Sequence, residues 1–180
     1  MMPLDLSAGT PGTEPVTRRS DSIAEVETGA RAFETAYNGA WLPVFRFALA
    51  WTNDWAAAED LAQESFLRLW DRRARIDWTQ PVLPWLLTTT KRNATDRFRR
   101  LRRSLAARGP ISVSPVSDAG IDWLDLRADF AVLSPLERAA LVLTALEDMP
   151  ATEAGTILGV EANAVRSAAS RGRRKLKERR

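Results

Sequence analysis

Residues 152–176 read TEAGTILGVEANAVRSAASRGRRKL and contain the strongest structural pattern in the C-terminal part of the chain. Apolar residues recur every three or four positions on both sides of Gly159-Val160, which predicts two helices joined by a tight turn. Gly159 permits the left-handed backbone that ends a helix, and Val160 and Val165 are expected to fill the angle between the helices. A short helix, a glycine turn and a longer basic helix are typical of a helix-turn-helix.

The second of these helices carries the residues that would meet DNA. A helix-turn-helix contacts base edges from the exposed N-terminal half of its second helix, which predicts contacts from Asn163, Arg166, Ser167 and Ser170. Later cations, among them Arg171 and Arg174, are expected to hold phosphate groups. An ordinary packed helical hairpin with a basic tail is the alternative interpretation of the same pattern.

Positive charge is concentrated in two short stretches. The formal net charge of the whole chain is only +3. Residues 91–108 nevertheless hold eight basic residues and one acidic residue, and residues 166–180 hold the same numbers. One such cluster is as well explained by a solvated helix face, but two clusters that each end a helical pattern indicate a polyanion partner.

The composition excludes several chemistries. The chain has 0 Cys and 0 His, which rules out a disulfide framework, a Cys/His zinc site and any catalytic triad or dyad that needs histidine. It has no Walker motif and no glycine-rich phosphate loop, so we expect no cofactor and no enzymatic activity. It also has no apolar run of about 18 residues and no signal-peptide pattern, so we expect a cytoplasmic protein without membrane insertion.

The N-terminal part of the chain predicts a tail followed by helices. Residues 1–28 contain several Pro, Gly, Ser and Thr residues and are expected to form a flexible tail, although a helical pattern starts near Ile23. An apolar stripe at helical spacing follows. It comprises Phe33, Tyr37, Trp41, Val44, Phe45, Ala48 and Leu49. A bend between two helices is expected near Asn38-Gly39.

Two further helices are predicted before the middle of the chain. Asn53 or Asp54 would cap a helix over residues 56–73. Its apolar face would consist of Ala58, Leu61, Ala62, Phe66, Leu69 and Trp70. Another helix would begin near Pro84, because proline is tolerated in a first helical turn, and would end in the arginine-rich segment at Arg103.

A linker then separates two units. Residues 104–120 contain Gly, Pro and Ser with little periodicity, and a second unit is expected over residues 121–180. Within it, Ser134, Pro135 and Glu137 form a helix-start pattern. Because no strand-type alternation is present, the predicted fold is all-α, with two small helical domains joined by a flexible linker and a helix-turn-helix in the second.

Several motifs together resemble the extracytoplasmic-function (ECF) sigma factors. The first is AAAEDLAQESFLRLW at residues 56–70, followed by WLL at 85–87 and DRFRR at 96–100. The C-terminal unit, from LSPLER at 133–138 through the helix-turn-helix, resembles the fourth domain of this family. The order and spacing agree over about residues 30–178.

The resemblance implies a bacterial transcription initiation factor. Residues 29–103 would be sigma domain 2, which binds core RNA polymerase and opens the −10 promoter element. Residues 121–180 would be sigma domain 4, which binds the −35 element as duplex DNA. Core RNA polymerase and promoter DNA are therefore the implied partners, together with an unidentified anti-sigma factor.

The resemblance also assigns residues to these roles. Asp60, Gln63 and Glu64 match the polymerase-facing positions of domain 2 and lie on the polar face of their helix. The positions that meet the −10 element are matched by Arg92, Asn93, Asp96, Arg97, Arg99 and Arg100. The loop over residues 73–84 matches the segment that captures a flipped base, but Trp78 in this loop is expected to be a packed side chain.

The chain departs from the family pattern at a few positions. Arg92 stands where the family often has Asn, with Asn93 one residue later. Gly155 stands where the family favours Ala, at a cost of roughly 1 kcal/mol in a helix interior. Ala168 and Ser170 stand where Arg and His are usual, so the base contacts are expected to be fewer or of different preference.

Two other interpretations remain on the sequence alone. A free-standing helix-turn-helix regulator would bind duplex DNA without polymerase, typically as a dimer on a palindrome. Such a regulator needs neither the Asp60, Gln63 and Glu64 face nor the basic segment 97–103. An enzyme is disfavoured because carboxylates that are neighbours in sequence, such as Glu59 and Asp60, do not face each other on a helix.

Overall fold

The computed structural model describes residues 16–108 and 130–179, and the side chains of residues 27–100, 103 and 130–179. The described residues form six α-helices and no β-strand. The helices are α1 (Val16–Thr52), α2 (Trp55–Asp71), α3 (Leu83–Arg108), α4 (Pro135–Leu141), α5 (Ala151–Leu158) and α6 (Ala162–Glu178). A single 3₁₀ turn follows α2, and a π-helical turn over Val142–Leu146 follows α4. The predicted all-α class is confirmed.

Helix α1 is continuous, so the predicted bend near Asn38-Gly39 is wrong. The rings of Tyr37 and Trp41 lie on either side of Gly39 and both contact Phe66 of α2, with ring centroids 4.9 and 5.7 Å apart. Packing of both turns against the same partner outweighs the low helix propensity of one glycine. The helix begins at Val16, within the predicted tail, and residues 1–15 lie outside the described part of the chain.

Helix α2 begins as its sequence indicates. The Asp54 side chain accepts a hydrogen bond from the backbone N–H of Ala57 at 2.8 Å, which confirms Asp54 as the N-cap. The predicted apolar face is buried with one exception, Trp70, which stays partly exposed. The Trp70 ring packs edge-on against Phe33 at 5.0 Å and beneath the Arg73 guanidinium at 4.1 Å.

Helix α3 runs antiparallel to α2. A buried hydroxyl pair joins the two helices, with Ser65 Oγ 2.9 Å from Thr90 Oγ1. The helix continues to Arg108 rather than ending at Arg103. The five residues SLAAR at 104–108 contain no helix-breaking residue, and the first such residue after them is Gly109. The helix therefore extends into the predicted linker. The rest of that linker, residues 109–120, lies outside the described residues.

The capping box predicted in the second unit is present at the start of α4. Ser134 Oγ accepts from the Glu137 N–H at 3.2 Å, and the Glu137 carboxylate accepts from the Ser134 N–H at 2.9 Å. Helix α4 then leads through the π-helical turn to the helix pair α5 and α6.

The two units pack directly on each other. Helix α1 contacts α4, and α3 contacts α5. The buried apolar side chains of both units form one continuous cluster rather than two separate cores. None of the described helices is long and apolar enough to cross a membrane.

Candidate functional site

The helix-turn-helix is formed by α5, a tight turn and α6. Gly159 follows α5 with φ 65° and ψ 39°, the left-handed conformation that glycine adopts most readily. The Val160 N–H donates to the Gly155 carbonyl at 3.0 Å and closes the turn. Val165 is fully buried and Val160 packs against the same core, as their positions predicted.

Gly155 has a steric reason to differ from the alanine that the family favours. A Cβ on Gly155 would lie 2.6 Å from the Val160 carbonyl oxygen and 3.4 Å from the Ala162 nitrogen. Both atoms belong to the backbone and cannot rotate away. The close turn of this helix-turn-helix therefore requires a residue without a Cβ at position 155.

The outer face of α6 presents all the residues predicted to meet the −35 element. Asn163, Arg166, Ser167, Ser170, Arg171 and Arg174 are exposed. The opposite face is buried and comprises Val165, Ala168, Ala169 and Gly172. Ala168 is therefore a packing position, so the alanine there removes no side chain from the exposed face. The Arg166 guanidinium donates to the Asn163 side-chain oxygen, which holds both groups on the surface.

Glu137 anchors α6 to α4. Its carboxylate is buried and accepts from Lys175 Nζ at 2.8 Å, and Arg171 Nε lies 3.4 Å from it. The hydrogen bond from Lys175 is the main cause that lowers the pKa of Glu137 to about 2, and the Ser134 N–H adds to it. The sequence indicated the capping role of Glu137 but not this anchor, because Lys175 lies 38 residues away.

The basic segment of α3 presents five of the six residues predicted for the −10 element. Arg92, Asp96, Arg97, Arg99 and Arg100 are exposed. Asn93 is only 3 % exposed, and neither its side-chain oxygen nor its side-chain nitrogen has a hydrogen-bond partner. Asn93 thus does not share the surface of the other five.

An ion pair links the predicted polymerase face to the predicted −10 face. Arg97 Nη1 on α3 lies 3.1 Å from Asp60 Oδ2 on α2, and both side chains are more than half exposed. Gln63 is exposed, and Glu64 pairs with Arg68 at 2.7 Å. The two predicted surfaces therefore meet along one edge.

An exposed leucine on the same face of α2 was missed by the sequence analysis. Leu67 is 64 % exposed and lies three, four and seven positions after Glu64, Gln63 and Asp60, so the four residues share one helix face. Its exposure could have been predicted from the sequence, because Leu67 lies outside the apolar face of α2 that packs against the core.

The loop between α2 and α3 is held by local contacts. Trp78 packs against the core and donates from its indole N–H to the Arg73 carbonyl at 3.0 Å. Hydrogen bonds from Thr79 lower the pKa of Asp77. Trp78 is thus a packed side chain, and Trp85 likewise packs against the core, as expected.

These surfaces define the class of protein. Among the described residues no group of three or more His, Cys, Asp or Glu is arranged to hold a metal ion. The exposed surfaces described above are a helix-turn-helix with a polar and basic outer face, a second basic helix, and a mixed acidic and apolar face on α2. They characterise an all-helical, two-domain DNA-binding transcription factor.

Comparison with known proteins defines the family. Residues 42–104 match Sigma-70 region 2, and residues 126–176 match Sigma-70, region 4. The ECF RNA polymerase sigma factor SigL of Mycobacterium tuberculosis is 30 % identical over 153 residues, which is 78 % of this chain and 86 % of SigL. The chain belongs to the ECF sigma factors.

A longer relative and a solved structure agree with this assignment. The probable RNA polymerase sigma factor RfaY of Xanthomonas campestris pv. campestris is 34 % identical over 72 % of this chain, which spans only 36 % of RfaY. The sigma factor RpoE of Bartonella quintana, solved in complex with the anti-sigma factor NepR, has a TM-score of 0.68 and 20 % identity. That match covers 81 % of this chain and 94 % of RpoE, and shows the same fold.

Proposed function

We propose that this protein binds core RNA polymerase and directs it to a particular set of promoters. Domain 2 would open the −10 element and domain 4 would bind the −35 element. The observation that carries the proposal is the shared edge between the Asp60 face and the α3 arginines, beside a complete helix-turn-helix. A free-standing regulator is not favoured, since the region 2 match covers residues 42–104.

Domain 4 would bind duplex DNA through the exposed face of α6. Asn163, Arg166, Ser167 and Ser170 lie in its N-terminal half, where side chains reach base edges in the major groove. Arg171 and Arg174 lie further along and would hold phosphate. Arg171 also contacts Glu137, so its guanidinium has a fixed starting position.

Domain 2 would separate the strands by binding the non-template strand once it is unpaired. The exposed cations Arg92, Arg97, Arg99 and Arg100 would supply phosphate contacts, and these contacts make affinity strongly salt-dependent. This step breaks no covalent bond and needs no catalytic group or cofactor. The protein would accordingly act as a non-enzymatic specificity factor in the cytoplasm.

The Asp60, Gln63 and Glu64 face would bind a basic element of core polymerase, with Leu67 as its apolar centre. Exposed acidic groups around an apolar side chain suit a partner helix that carries cations beside apolar residues. We also propose an anti-sigma factor as a second partner, because RpoE was solved with one.

Binding to core RNA polymerase tests the proposal. The variant with Asp60, Gln63 and Glu64 all changed to Ala should bind core polymerase at least tenfold more weakly than the wild type. A control with the exposed Glu34 and Glu153 changed to Ala removes the same number of negative charges elsewhere and should bind as the wild type does. Tight duplex binding by a folded wild-type protein that never binds polymerase would establish the free-standing regulator instead.

A further inference from the structure

Two exposed side chains in the first turns of α6 are joined to each other. The Arg166 guanidinium donates from Nη2 to Oδ1 of Asn163, three positions earlier on the same helix. Side chains three positions apart are neighbours on a helix surface, so the helix itself brings the two groups together. Both side chains are exposed, and within the described part of the chain the Arg166 guanidinium forms no ion pair. The Asn163–Arg166 pair is therefore a cationic group that faces solvent.

The pair is the longest exposed group in the N-terminal half of α6. The neighbouring exposed positions hold the short side chains of Ser167 and Ser170. Further along, Arg171 Nε lies 3.4 Å from the buried carboxylate of Glu137, which draws its guanidinium toward α4. The N-terminal half of the second helix is the part of a helix-turn-helix that enters the major groove. The pair thus dominates the surface that can reach base edges.

The contact changes what the asparagine can bind. A free asparagine amide offers an oxygen acceptor and two N–H donors, and it reads adenine by accepting from the amino group at N6 and donating to N7. In the pair, Oδ1 of Asn163 already accepts from a cation. An adenine amino group on the same oxygen would lie beside the guanidinium, where donors would face donors. The pair therefore presents only donors, namely the amide N–H groups of Asn163 and the remaining N–H groups of Arg166.

Guanine is the base whose edge such a group matches. In the major groove guanine presents two acceptors, N7 and O6, whereas adenine and cytosine each present an amino donor and thymine presents one acceptor beside a methyl group. A planar guanidinium donates to both guanine acceptors at once. A guanidinium that is already oriented also loses less conformational entropy when it binds.

We propose that the Asn163–Arg166 pair reads one guanine of the duplex as a single unit. Arg166 contacts the base, and Asn163 is the positioning residue that orients the guanidinium and excludes adenine. The inference rests on the proposed function of domain 4 and names the base that this part of α6 selects. Asn163 thereby determines specificity through Arg166 rather than through an adenine contact of its own.

Selection of duplexes from a pool with a short randomised window tests the pair. The full-length chain, alone and bound to core RNA polymerase, is mixed with the pool, and the bound sequences are counted. The wild type should favour guanine over adenine at one position by about five- to 150-fold, the range for one bidentate base contact. Arg166→Ala frees the amide of Asn163, so the preference at that position should change from guanine to adenine. Asn163→Ala should keep guanine but lower the preference by about two- to tenfold.

Arg174→Ala is the matched control. It removes the same charge from the exposed face of α6, at a position expected to hold phosphate. This variant should bind all sequences more weakly and leave the base preference unchanged. Thermal unfolding of each variant verifies the fold, which these exposed substitutions should leave intact.

Base analogues locate the contact on the guanine. In the preferred duplex, 7-deazaguanine removes the N7 acceptor and should weaken binding of the wild type by about five- to tenfold. Hypoxanthine keeps N7 and O6 and should be bound as guanine is. Arg166→Ala should bind the 7-deazaguanine duplex as well as the unmodified one, because the group that contacts N7 is absent.

Three outcomes would overturn the proposal. The first is a guanine preference in Arg166→Ala equal to that of the wild type, and the second is a wild-type preference for adenine at the position that Arg166→Ala alters. The third is an undiminished guanine preference in Asn163→Ala, since Asn163 would then position nothing. A chain that binds polymerase but shows any of these keeps the proposed function and loses the pair. A chain that never binds polymerase contradicts the proposed function, whereas duplex selection by the chain alone still decides the pair, and no selection in either form would overturn both.

Discussion

Lys175 Nζ on α6 lies 2.8 Å from Oε2 of the buried Glu137, which is also the third helical residue of the α4 capping box. One carboxylate thus both starts α4 and fixes α6 against it. A charge-assisted hydrogen bond to a group with little access to water is stronger than a surface ion pair. This contact therefore helps to orient the DNA-binding face, together with the Arg171–Glu137 pair and the buried face of α6.

Glu137→Gln should make the protein less stable at neutral pH by roughly 1–3 kcal/mol. The pKa of Glu137 is lowered from 4.5 to about 2, so its contribution is complete above pH 4.5 and is lost as the pH falls toward 2. Denaturant unfolding of the wild type and the variant between pH 7 and 2 measures this. The difference between them should shrink below pH 4.5, while the exposed Glu153→Gln should show no such dependence. A constant difference across that range would contradict the role given to ionised Glu137.

Two glycine-to-alanine changes should have opposite effects. Gly155→Ala places a Cβ 2.6 Å from a backbone oxygen, so it should destabilise the protein by about 1–3 kcal/mol and weaken duplex binding. Gly39→Ala meets nothing within 4 Å in the middle of α1, so it should stabilise the protein by about 0.5–1 kcal/mol. Melting temperatures measure both stability changes. A Gly155→Ala protein as stable as the wild type would show that the backbone of the turn can move to accommodate the added Cβ.

The Asp60–Arg97 pair should matter for binding and hardly for stability. Both side chains are largely exposed, and exposed pairs contribute about 0–1 kcal/mol. Asp60→Asn should weaken polymerase binding with DNA binding retained, and Arg97→Ala should weaken binding to single-stranded DNA with polymerase binding retained. Melting temperatures provide the control, since both variants should unfold close to the wild type. Equal loss of both activities in each variant would mean that the pair acts as a unit.

Arg174→Ala should weaken binding to a random-sequence duplex and reduce its salt dependence. Loss of one phosphate contact lowers the slope of log K against log salt by about 0.9. Arg31→Ala, an exposed arginine on α1, is the matched control and should leave the slope unchanged. Equilibrium binding at several salt concentrations measures the effect, and an unchanged slope in Arg174→Ala would remove this residue from the DNA interface.

Asn93→Leu should stabilise the protein by about 1–2 kcal/mol. The change replaces two buried polar atoms without partners by apolar atoms of similar volume, so a desolvation penalty disappears. Thermal unfolding measures the gain, and initiation in the presence of core polymerase shows whether function survives. Greater stability with full function would remove Asn93 from the −10 residues, whereas lost initiation would support the role that the family resemblance assigned to it.

The features that sequence predicted well depend on neighbouring residues. Asp54 and Ser134 each accept a hydrogen bond from a backbone N–H three positions further along the chain. Gly159 ends its helix because glycine readily adopts a left-handed backbone conformation. The predictions from sequence were wrong where contacts between residues distant in the chain determine the local structure. The bend near Gly39 is absent because Tyr37 and Trp41 both pack on Phe66. The sequence of α1 does not indicate which residue of α2 these rings contact.

The helical class, the helix-turn-helix and the ECF family could all be predicted from the sequence, because periodicity, capping and motif spacing are local properties. The packing of distant residues accounts for the burial of Asn93, for the contact of Glu137 with α6, and for the hydrogen bonds that Lys91 and Arg138 donate to helix-end carbonyls of the opposite domain. Burial and capping depend on which surfaces meet in space. Pairs such as Arg138 and Ala50, 88 residues apart, leave no periodic signal in the chain.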